Sequence, residues 1–158
     1  FSLTCGHCSN FHIKTLPQLK KKYIDTGKVQ LEFIDYPLDR LAVIAATLAR
    51  SIPTKDGYIE AVSILLKKQK QWAYSKNPLN ELQSIAKLFG ISSKKFNDIS
   101  QNIPLMQEIV TKMEKESKNF DINSTPTFIV NDKYKISGAL SFKDFEKELL
   151  KSINAKKS

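Results

Sequence analysis

The sequence contains only two cysteines, Cys5 and Cys8, and neither cysteine nor histidine occurs after His12. A small secreted domain that relies on disulfides needs more cysteines, placed so that the bridges close long loops. A bridge between Cys5 and Cys8 would span only two intervening residues and would restrict the unfolded chain very little. The pair is therefore expected to serve chemistry rather than stability.

Long apolar runs are also absent. The longest extends from Leu41 to Ala49, includes Thr47, and is far shorter than the roughly 20 residues that a membrane helix requires. We therefore expect no membrane span. Only four residues precede Cys5, which is too few for a secretory signal peptide, so an export signal would belong to a longer precursor.

Positive charge is in excess, with 25 lysines and arginines against 16 acidic residues and a formal net charge of +9. A nucleic-acid-binding surface would gather these charges with aromatic side chains in a groove. Here the lysines are spread along the chain, as at Lys20–Lys22, Lys67–Lys68 and Lys94–Lys95, mostly between the apolar positions of helical segments. The pattern is typical of solvated helix faces and indicates no nucleic-acid partner, although the net charge favours acidic partners or membrane surfaces through long-range steering.

A length of 158 residues suits one domain with a substantial hydrophobic core. Apolar periodicity and chain breaks predict the order helix, strand, block of helices, hairpin and helix. The first helix follows Cys8 and is expected to kink at Pro17, which removes a backbone donor. The other predicted elements are strands at 29–35, 127–131 and 134–137, helices at 40–51, 56–71, 79–89, 93–102 and 104–119, and a last helix from about Ser141 to a frayed tail at Asn154.

This order divides the chain into three parts. Residues 1–38 carry the cysteine helix and the first strand, residues 39–119 form an inserted helical subdomain, and residues 120–154 carry the hairpin and the last helix. A parallel strand normally delivers the chain to a helix that begins at a site such as Cys5. Four residues cannot form that strand, so we expect the first core strand to be missing from the chain.

The spacing Cys5-Gly6-His7-Cys8 indicates redox chemistry. Two cysteines at the start of a helix can close a disulfide with little backbone movement. The helix dipole and its free amides favour a thiolate at Cys5, which lowers the pKa of that thiol and makes the disulfide a stronger oxidant. His7 is expected to add to this stabilisation, and Cys8, one turn further on, is expected to be more buried and to act as the resolving thiol.

The competing interpretation is zinc binding, because Cys5, His7, Cys8 and His12 are all possible ligands. Structural zinc sites usually take ligand pairs from separated segments of the chain. On one helix, His7 and His12 are five residues apart and point in different directions. We therefore expect no metal and no cofactor beyond a redox-active disulfide between Cys5 and Cys8, and we expect His12 to be an exposed helix residue.

Both ends of the chain resemble one known family. Residues 1–8 (FSLTCGHC), with Phe11 and the pair Leu16-Pro17, resemble the active-site helix of the bacterial DsbA-like thiol–disulfide oxidoreductases. Residues 23–29 and 35–38 match the same family, as do Ser124-Thr125-Pro126-Thr127 with the following strand and the later Ser137-Gly138-Ala139. The resemblance implies an α/β, thioredoxin-like fold with a large helical insertion.

The resemblance also implies the residues of the site and their surroundings. Pro126 would be a cis proline that faces the cysteines, and Thr125 would lie beside the disulfide and pair with an extended substrate. The expected catalytic residues are then Cys5, Cys8 and His7, and the expected substrate-binding residues are Thr125 and Pro126. The implied partners are thiol-containing exported proteins and a membrane-bound reoxidising or reducing protein, and the implied location is periplasmic or otherwise extracytoplasmic.

Two departures from the family leave the direction of electron flow open. The dipeptide Gly6-His7 is typical of protein disulfide isomerases, whereas the best-known DsbA proteins have Pro-His, and Thr125 stands where those proteins have Val. The leading hypothesis is an oxidoreductase that forms disulfides in exported proteins. A disulfide isomerase or reductase on the same scaffold is the closest alternative, and a zinc-binding adaptor without redox turnover is the less favoured one.

Overall fold

Helices make up most of the protein in the computed structural model, which describes residues 1–154. The predicted tail beyond Asn154 lies outside the described residues. In chain order the elements are α1 (Gly6–Lys14), α2 (Leu16–Leu19), a π-helical turn (Lys20–Ile24), α3 (Arg40–Arg50), α4 (Lys55–Lys67), α5 (Gln69–Trp72), α6 (Pro78–Lys87), α7 (Ser93–Ser100), α8 (Ile103–Phe120), β1 (Thr127–Val130), β2 (Tyr134–Ser137) and α9 (Phe142–Asn154). None of the helices in this part of the chain is long and apolar enough to cross a membrane.

The larger core lies within the helical block around α3, which contacts α4, α6, α7 and α8. The alanines of α3 are almost completely buried, and their small side chains let the neighbouring helices approach closely. Large side chains fill the space between these helices, among them Trp72, Leu48, Leu65 and Leu82, all at most 1% exposed. Burial of these side chains supplies the main stabilisation of the block.

The smaller core joins α1 to the C-terminal hairpin and α9. The rings of Phe11, Phe128 and Phe145 meet with centroid distances of 4.5, 5.2 and 4.8 Å, within the range of favourable aromatic packing. β1 and β2 pair antiparallel with Phe128 opposite Ile136, and their turn places Asn131 and Asp132 at positive φ, as tight hairpin turns require. The cluster therefore fixes one face of α1 against the only sheet among residues 1–154.

Most predicted helices are present and begin where side chains cap them. Asp39 accepts a hydrogen bond from the amide of Ala42 at the start of α3, and Ser92 accepts one from the amide of Lys95 at the start of α7. Pro17 has the predicted effect, because the first helix stops at Lys14 and resumes as α2 with Pro17 in its first turn. The single helix predicted at 56–71 is wrong in one respect, since Lys68 leaves the helical conformation and separates α4 from α5.

The predicted strand at 29–35 is wrong, because these residues have no regular secondary structure. A strand requires a ladder of backbone hydrogen bonds, and this segment has too few partners to form one. The nitrogen of Phe1 donates to the Ile34 carbonyl at 3.0 Å, and the Tyr36 amide donates to the Phe1 carbonyl at 2.7 Å. One further backbone bond, from the Val29 amide to the Tyr23 carbonyl at 3.0 Å, holds the start of the segment, and Arg50 holds its end, where Nε donates to Asp35 at 2.7 Å.

A cavity of about 660 Å³ separates this segment from β1. Residues 28–34 line one side, and residues 124–132 line the other. Phe145 of α9 and Cys8 and His12 of α1 also reach the cavity. The cavity therefore borders the inner face of the cysteine helix.

The aromatic cluster should be essential to the C-terminal part of the fold. Phe145→Ala removes a ring that is 3% exposed and contacts two other rings, so we expect the free energy of unfolding to fall by about 3–5 kcal/mol in denaturant titration. Leu150→Ala on the same helix is the control, because Leu150 is 41% exposed and its loss should change stability by about 0.5 kcal/mol or less. Equal effects of the two substitutions would contradict this assignment of the core.

Candidate active site

Cys5 occupies the N-cap position of α1. Its backbone is extended (φ −81°, ψ 116°), and its carbonyl accepts the first helical hydrogen bond, from the amide of Ser9 at 3.1 Å. The amides of the first helical turn have no intrahelical acceptor, and those of His7 and Cys8 point toward the Cys5 sulfur. The sequence at the start of α1 therefore creates an electropositive position for one sulfur atom.

Cys8 lies one turn further along α1 and is the deeper of the two, at 3% exposure against 9% for Cys5. The Ser2 amide donates to the Cys8 sulfur at 3.4 Å. Both cysteines are free thiols here. The order of burial agrees with the expectation from sequence, although Cys5 is itself largely covered.

The two sulfurs are driven to opposite protonation states. The pKa of Cys5 is lowered from 9.0 to about 5, first by the hydrogen bond that Cys8 donates to its thiolate and then, against the opposing effect of burial, by Thr125 and the helix amides. The pKa of Cys8 is raised, because ionisation would cost it the hydrogen bond to Cys5 and because the group is buried. At neutral pH the pair is therefore one thiolate and one thiol.

Thr125 and Pro126 lie against this pair, although 120 residues separate Thr125 from Cys5 in sequence. The bond between Thr125 and Pro126 is cis, and the Cys5 sulfur lies 3.5 Å from the carbonyl oxygen of Thr125. Two hydrogen bonds hold the loop: the Thr127 hydroxyl donates to the Ser124 carbonyl at 2.7 Å, and the Gly138 amide donates to the Pro126 carbonyl at 2.8 Å. Gly138 has φ +91°, a conformation that favours glycine at this position.

The two histidines of the motif region are not equivalent. His7 is exposed on the first turn of α1 and makes no side-chain hydrogen bond to any of residues 1–154. The expectation that His12 is exposed is wrong: it is 8% exposed, and its Nε2 lies 3.0 Å from the hydroxyl of Ser63 on α4. The face of α1 that carries His12 packs against α4, and a helical pattern in sequence does not reveal which polar residue such packing covers.

Gln69 supports the site, and sequence analysis did not identify it. Its Nε2 donates to the carbonyls of Leu3 at 2.7 Å and Cys5 at 3.0 Å, and the side chain is buried. Tyr74 lies nearby with 67% exposure, and its hydroxyl is 3.9 Å from the position that a Cβ on Gly6 would occupy. No local pattern marks either residue, because both reach the motif only through the packing of the helical block.

A metal centre finds no geometric support in the described part of the chain. Among residues 1–154, no group of three or more His, Cys, Asp or Glu side chains is arranged to hold a metal ion. His7 points to solvent, while His12 uses one ring nitrogen on Ser63. The four residues considered as zinc ligands are therefore not brought together, whereas the two cysteines and Thr125 are.

Comparisons with known proteins identify the fold and the family. A family profile described as thioredoxin matches residues 1–151. The crystal structure of α-DsbA1 from Wolbachia pipientis superposes with a TM-score of 0.84 at 30% sequence identity, covering 96% of this chain and 81% of that one. BdbD from Bacillus subtilis, in its oxidised form, has a TM-score of 0.71 at 22% identity over 97% of this chain and 84% of its own, which supports the fold.

A protein of Rickettsia typhi named as a protein-disulfide oxidoreductase is 32% identical over 131 residues, or 83% of this chain. The match covers 48% of that protein, so the chain spans about half the length of the Rickettsia relatives that it matches. The fold is α/β and thioredoxin-like, mostly helical with a small two-stranded sheet. The chain belongs to the thioredoxin family, among its DsbA-like members.

The Cys5 thiolate should make the stability of the reduced protein depend on pH. Because its folded pKa is about 5 and its ordinary value is 9.0, the stabilisation is complete above pH 9 and disappears as the pH falls toward 5. Between pH 8 and 6, the free energy of unfolding of the reduced protein, relative to the oxidised protein, should fall by about 1.4 kcal/mol per pH unit. Cys8 adds nothing in this range, because it stays protonated in both states.

Denaturant titrations of both redox forms at each pH measure this difference. Cys5→Ser serves as the control, because it removes the titrating thiol and should abolish the dependence that this group causes. A difference between reduced and oxidised wild-type protein that does not change from pH 8 to 6 would contradict the assigned thiolate.

Gln69 should be required for the stability of the active-site loop. Gln69→Ala leaves two backbone carbonyls near the motif without their donor, so we expect the free energy of unfolding to fall by about 2–4 kcal/mol. Gln71→Ala is the matched control, because Gln71 is exposed two positions away on the same short helix and should cost about 0.5 kcal/mol or less. Urea unfolding of both variants tests the difference, and a mild effect of Gln69→Ala would show that the two carbonyls find other donors.

Proposed function

We propose that this protein is a thiol–disulfide oxidoreductase that forms disulfides in exported proteins by dithiol exchange at Cys5-Gly6-His7-Cys8. The observation that carries the proposal is the opposed state of the two sulfurs. Cys5 has a pKa of about 5 at the start of α1, and Cys8 remains a buried thiol. A stable Cys5 thiolate is a good leaving group and favours the reduced form of the enzyme, which makes the disulfide form an oxidant.

The reaction proceeds in two exchanges. A substrate thiolate attacks the Cys5 sulfur of the Cys5–Cys8 disulfide, so a mixed disulfide forms and Cys8 leaves with the electron pair of the broken bond. A second substrate thiolate then attacks the substrate sulfur of the mixed disulfide. The substrate disulfide forms, Cys5 leaves as a thiolate, and the enzyme has gained two electrons that an oxidising partner must remove.

Thr125 and Pro126 are proposed to bind the substrate chain beside Cys5. The amide and carbonyl of Thr125 make no backbone hydrogen bond to residues 1–154, and the Cys5 sulfur lies 3.5 Å from that carbonyl oxygen. Backbone groups left free at the edge of a sheet can pair with an extended peptide. Such pairing would align a substrate cysteine with the sulfur of Cys5 and would tolerate many substrate sequences.

His7 is proposed as the third catalytic residue. It is exposed between the two cysteines in sequence, where it can approach a substrate sulfur without displacing a buried group.

We extend the proposal to the three-part organisation, with residues 39–119 as an inserted helical subdomain between the thioredoxin-like parts 1–38 and 120–154. A membrane-bound partner that restores the disulfide and a periplasmic or other extracytoplasmic location also belong to the proposal, because formation of disulfides requires an oxidising compartment.

A disulfide isomerase or reductase remains the second candidate, favoured by the dipeptide Gly6-His7 and by Thr125 before Pro126. The two functions differ in what they do to a protein whose disulfides are wrong. An oxidase supplies disulfides to reduced protein, whereas an isomerase repairs a scrambled one. Parallel assays on reduced and on scrambled ribonuclease therefore separate them.

The proposed function predicts that the oxidised protein restores activity to reduced ribonuclease and has little effect on the scrambled form. Cys5→Ser should abolish the reaction because it removes the sulfur that the substrate attacks. In Cys8→Ser, the Cys5 thiolate should attack the disulfides of scrambled ribonuclease, and the mixed disulfide should accumulate because no Cys8 thiol is present to release it. Ribonuclease activity and mass spectrometry of acid-quenched samples measure the two effects.

Asn10→Ala on the exposed side of α1 is the control and should behave as the wild type. Exchange that persists in Cys5→Ser would exclude this site as the reaction centre. Efficient repair of scrambled ribonuclease by the wild type would replace the oxidase proposal with the isomerase.

A further inference from the structure

The Oε1 atom of Gln69 is not used by the fold. The side chain is 2% exposed, and its Nε2 donates to the carbonyls of Leu3 and Cys5 at 2.7 and 3.0 Å. Carbonyl oxygens only accept, so the amide nitrogen must face them and Oε1 must point away. Oε1 accepts no hydrogen bond from residues 1–154, and it is not sealed, because the one buried side-chain polar atom without a partner among these residues is Oδ1 of Asp35. Oε1 is therefore an accessible acceptor with a fixed orientation.

This acceptor lies beside Gly6, the exposed glycine of the cysteine motif. A Cβ on Gly6 would lie 4.0 Å from Oε1 of Gln69 and 3.9 Å from the hydroxyl of Tyr74, so that point has room for one small group in ordinary contact with both oxygens. Tyr74 is 67% exposed, which leaves its side chain accessible from solvent. We call the space bounded by Gly6, Gln69 and Tyr74 the Gly6 notch. It adjoins Cys5, whose sulfur forms the mixed disulfide in the proposed reaction.

The two oxygens of the Gly6 notch favour a hydrogen-bond donor. Oε1 of Gln69 can only accept, whereas the hydroxyl of Tyr74 can accept or donate. A group that places an N–H or O–H about 3 Å from Oε1 would complete its hydrogen bonding. A carboxylate would bring no proton to Oε1, and an apolar group would displace water from it without replacing the hydrogen bond, which costs free energy. The geometry therefore disfavours acidic and apolar groups.

The charges around the notch disfavour a cationic donor. Residues 1–24 and 61–80, the segments that form the notch, contain no aspartate or glutamate, and Lys70 is exposed next to Gln69. Asp39 reaches this part of the chain through Thr4, but both of its carboxylate oxygens already accept hydrogen bonds. An ammonium or guanidinium group would find no free carboxylate on these segments and would be repelled by the lysine. A neutral amide or hydroxyl satisfies both the acceptors and the charge.

We propose that the Gly6 notch is a substrate subsite for a neutral amide or hydroxyl side chain, such as that of asparagine or serine, near the reacting cysteine of a protein substrate. The inference rests on the proposed dithiol exchange and adds a specificity determinant to it. In an extended chain, residues two positions apart point to the same side and lie about 7 Å apart. The side chain that enters the notch therefore belongs to the residue two positions before or after the substrate cysteine.

Exchange between two mixed disulfides measures this preference. The full Cys8→Ser chain, with Cys5 in a mixed disulfide, is equilibrated with glutathione and a single-cysteine peptide, each with its own disulfide. The peptide thiolate attacks the Cys5 sulfur, the Cys5–peptide disulfide forms, and glutathione leaves as a thiolate with the electron pair of the broken bond. Acid quenching and mass spectrometry give the ratio of the two protein species. Because Cys5 is in a disulfide in both, any change in its own pKa cancels.

Four peptides differ only in the residue at both positions two away from the cysteine, which is Asn, Leu, Asp or Lys in an alanine background. The Asn peptide should be favoured about three- to tenfold over the Leu peptide and over the Asp peptide, the range expected for one hydrogen bond. Asp has the shape of Asn without the donor, and Lys should gain less than about twofold over Leu. Equal ratios for Asn and Leu, or an Asp or Lys peptide that matches Asn, would overturn the proposal.

Substitutions in the Cys8→Ser chain locate the preference, because differences among the free peptides are the same for every protein. Gly6→Ala puts a methyl group into the notch and should reduce the preference for Asn over Leu to less than about 1.5-fold. Tyr74→Phe removes one of the two oxygens and should reduce it about twofold. Asn10→Ala on α1 and Tyr134→Phe on β2 are the controls and should keep the full preference.

A preference that survives in Gly6→Ala would place the recognition elsewhere and overturn the subsite. Circular dichroism establishes that each variant is folded. If Gly6→Ala does not fold, Tyr74→Phe decides, since the hydroxyl that it removes belongs to an exposed side chain, and an unchanged preference in that variant overturns the proposal.

The outcomes also separate this inference from the proposed function. A Cys8→Ser protein that forms no mixed disulfide with glutathione or with any peptide would remove dithiol exchange at Cys5 itself. A protein that forms mixed disulfides with all four peptides without preference would remove only the Gly6 notch.

Discussion

The hydrogen bond from the Cys8 thiol to the Cys5 thiolate is the interaction on which the rest of the site depends. It contributes most to lowering the pKa of Cys5, and it opposes the cost of burying a charged sulfur. The bond is effective only while the start of α1 holds both sulfurs and the first-turn amides in place. The surrounding contacts can therefore be understood as the means of fixing that helix end.

α1 is held by two cores at once. Cys5 and Cys8 belong to the larger core of the helical block, whereas Phe11, less than one turn after Cys8, belongs to the smaller core with the hairpin and α9. Gln69 of α5 donates a hydrogen bond to the Leu3 carbonyl just before the helix, and the carbonyl of Thr125 contacts the Cys5 sulfur. The start of α1 is thus fixed between two separately packed regions, so a shift in either region would change the positions of the two sulfurs.

Much of this arrangement could be predicted from local pattern. The helix starts at Asp39 and Ser92 follow from capping chemistry, and the hairpin follows from two short β-rich runs with a tight turn between them. Residues 29–35 show where local pattern fails. Their alternating apolar and polar side chains predict a strand, but a strand forms only beside a hydrogen-bonded partner strand, and these residues have no regular secondary structure. The burial of His12 and the role of Gln69 were equally beyond prediction, since both depend on contacts with elements more than 50 residues away.

The amino-acid sequence alone shows which reactive groups are present: two thiols at the spacing and helix position that suit dithiol exchange, with a Thr-Pro pair far along the chain. Long-range packing sets the protonation state of each sulfur, the contact of Thr125 with Cys5, and the burial of His12 against Ser63 of α4. The physical reason is that composition and spacing set which groups are present, whereas pKa values depend on burial and on partners that only long-range packing brings together.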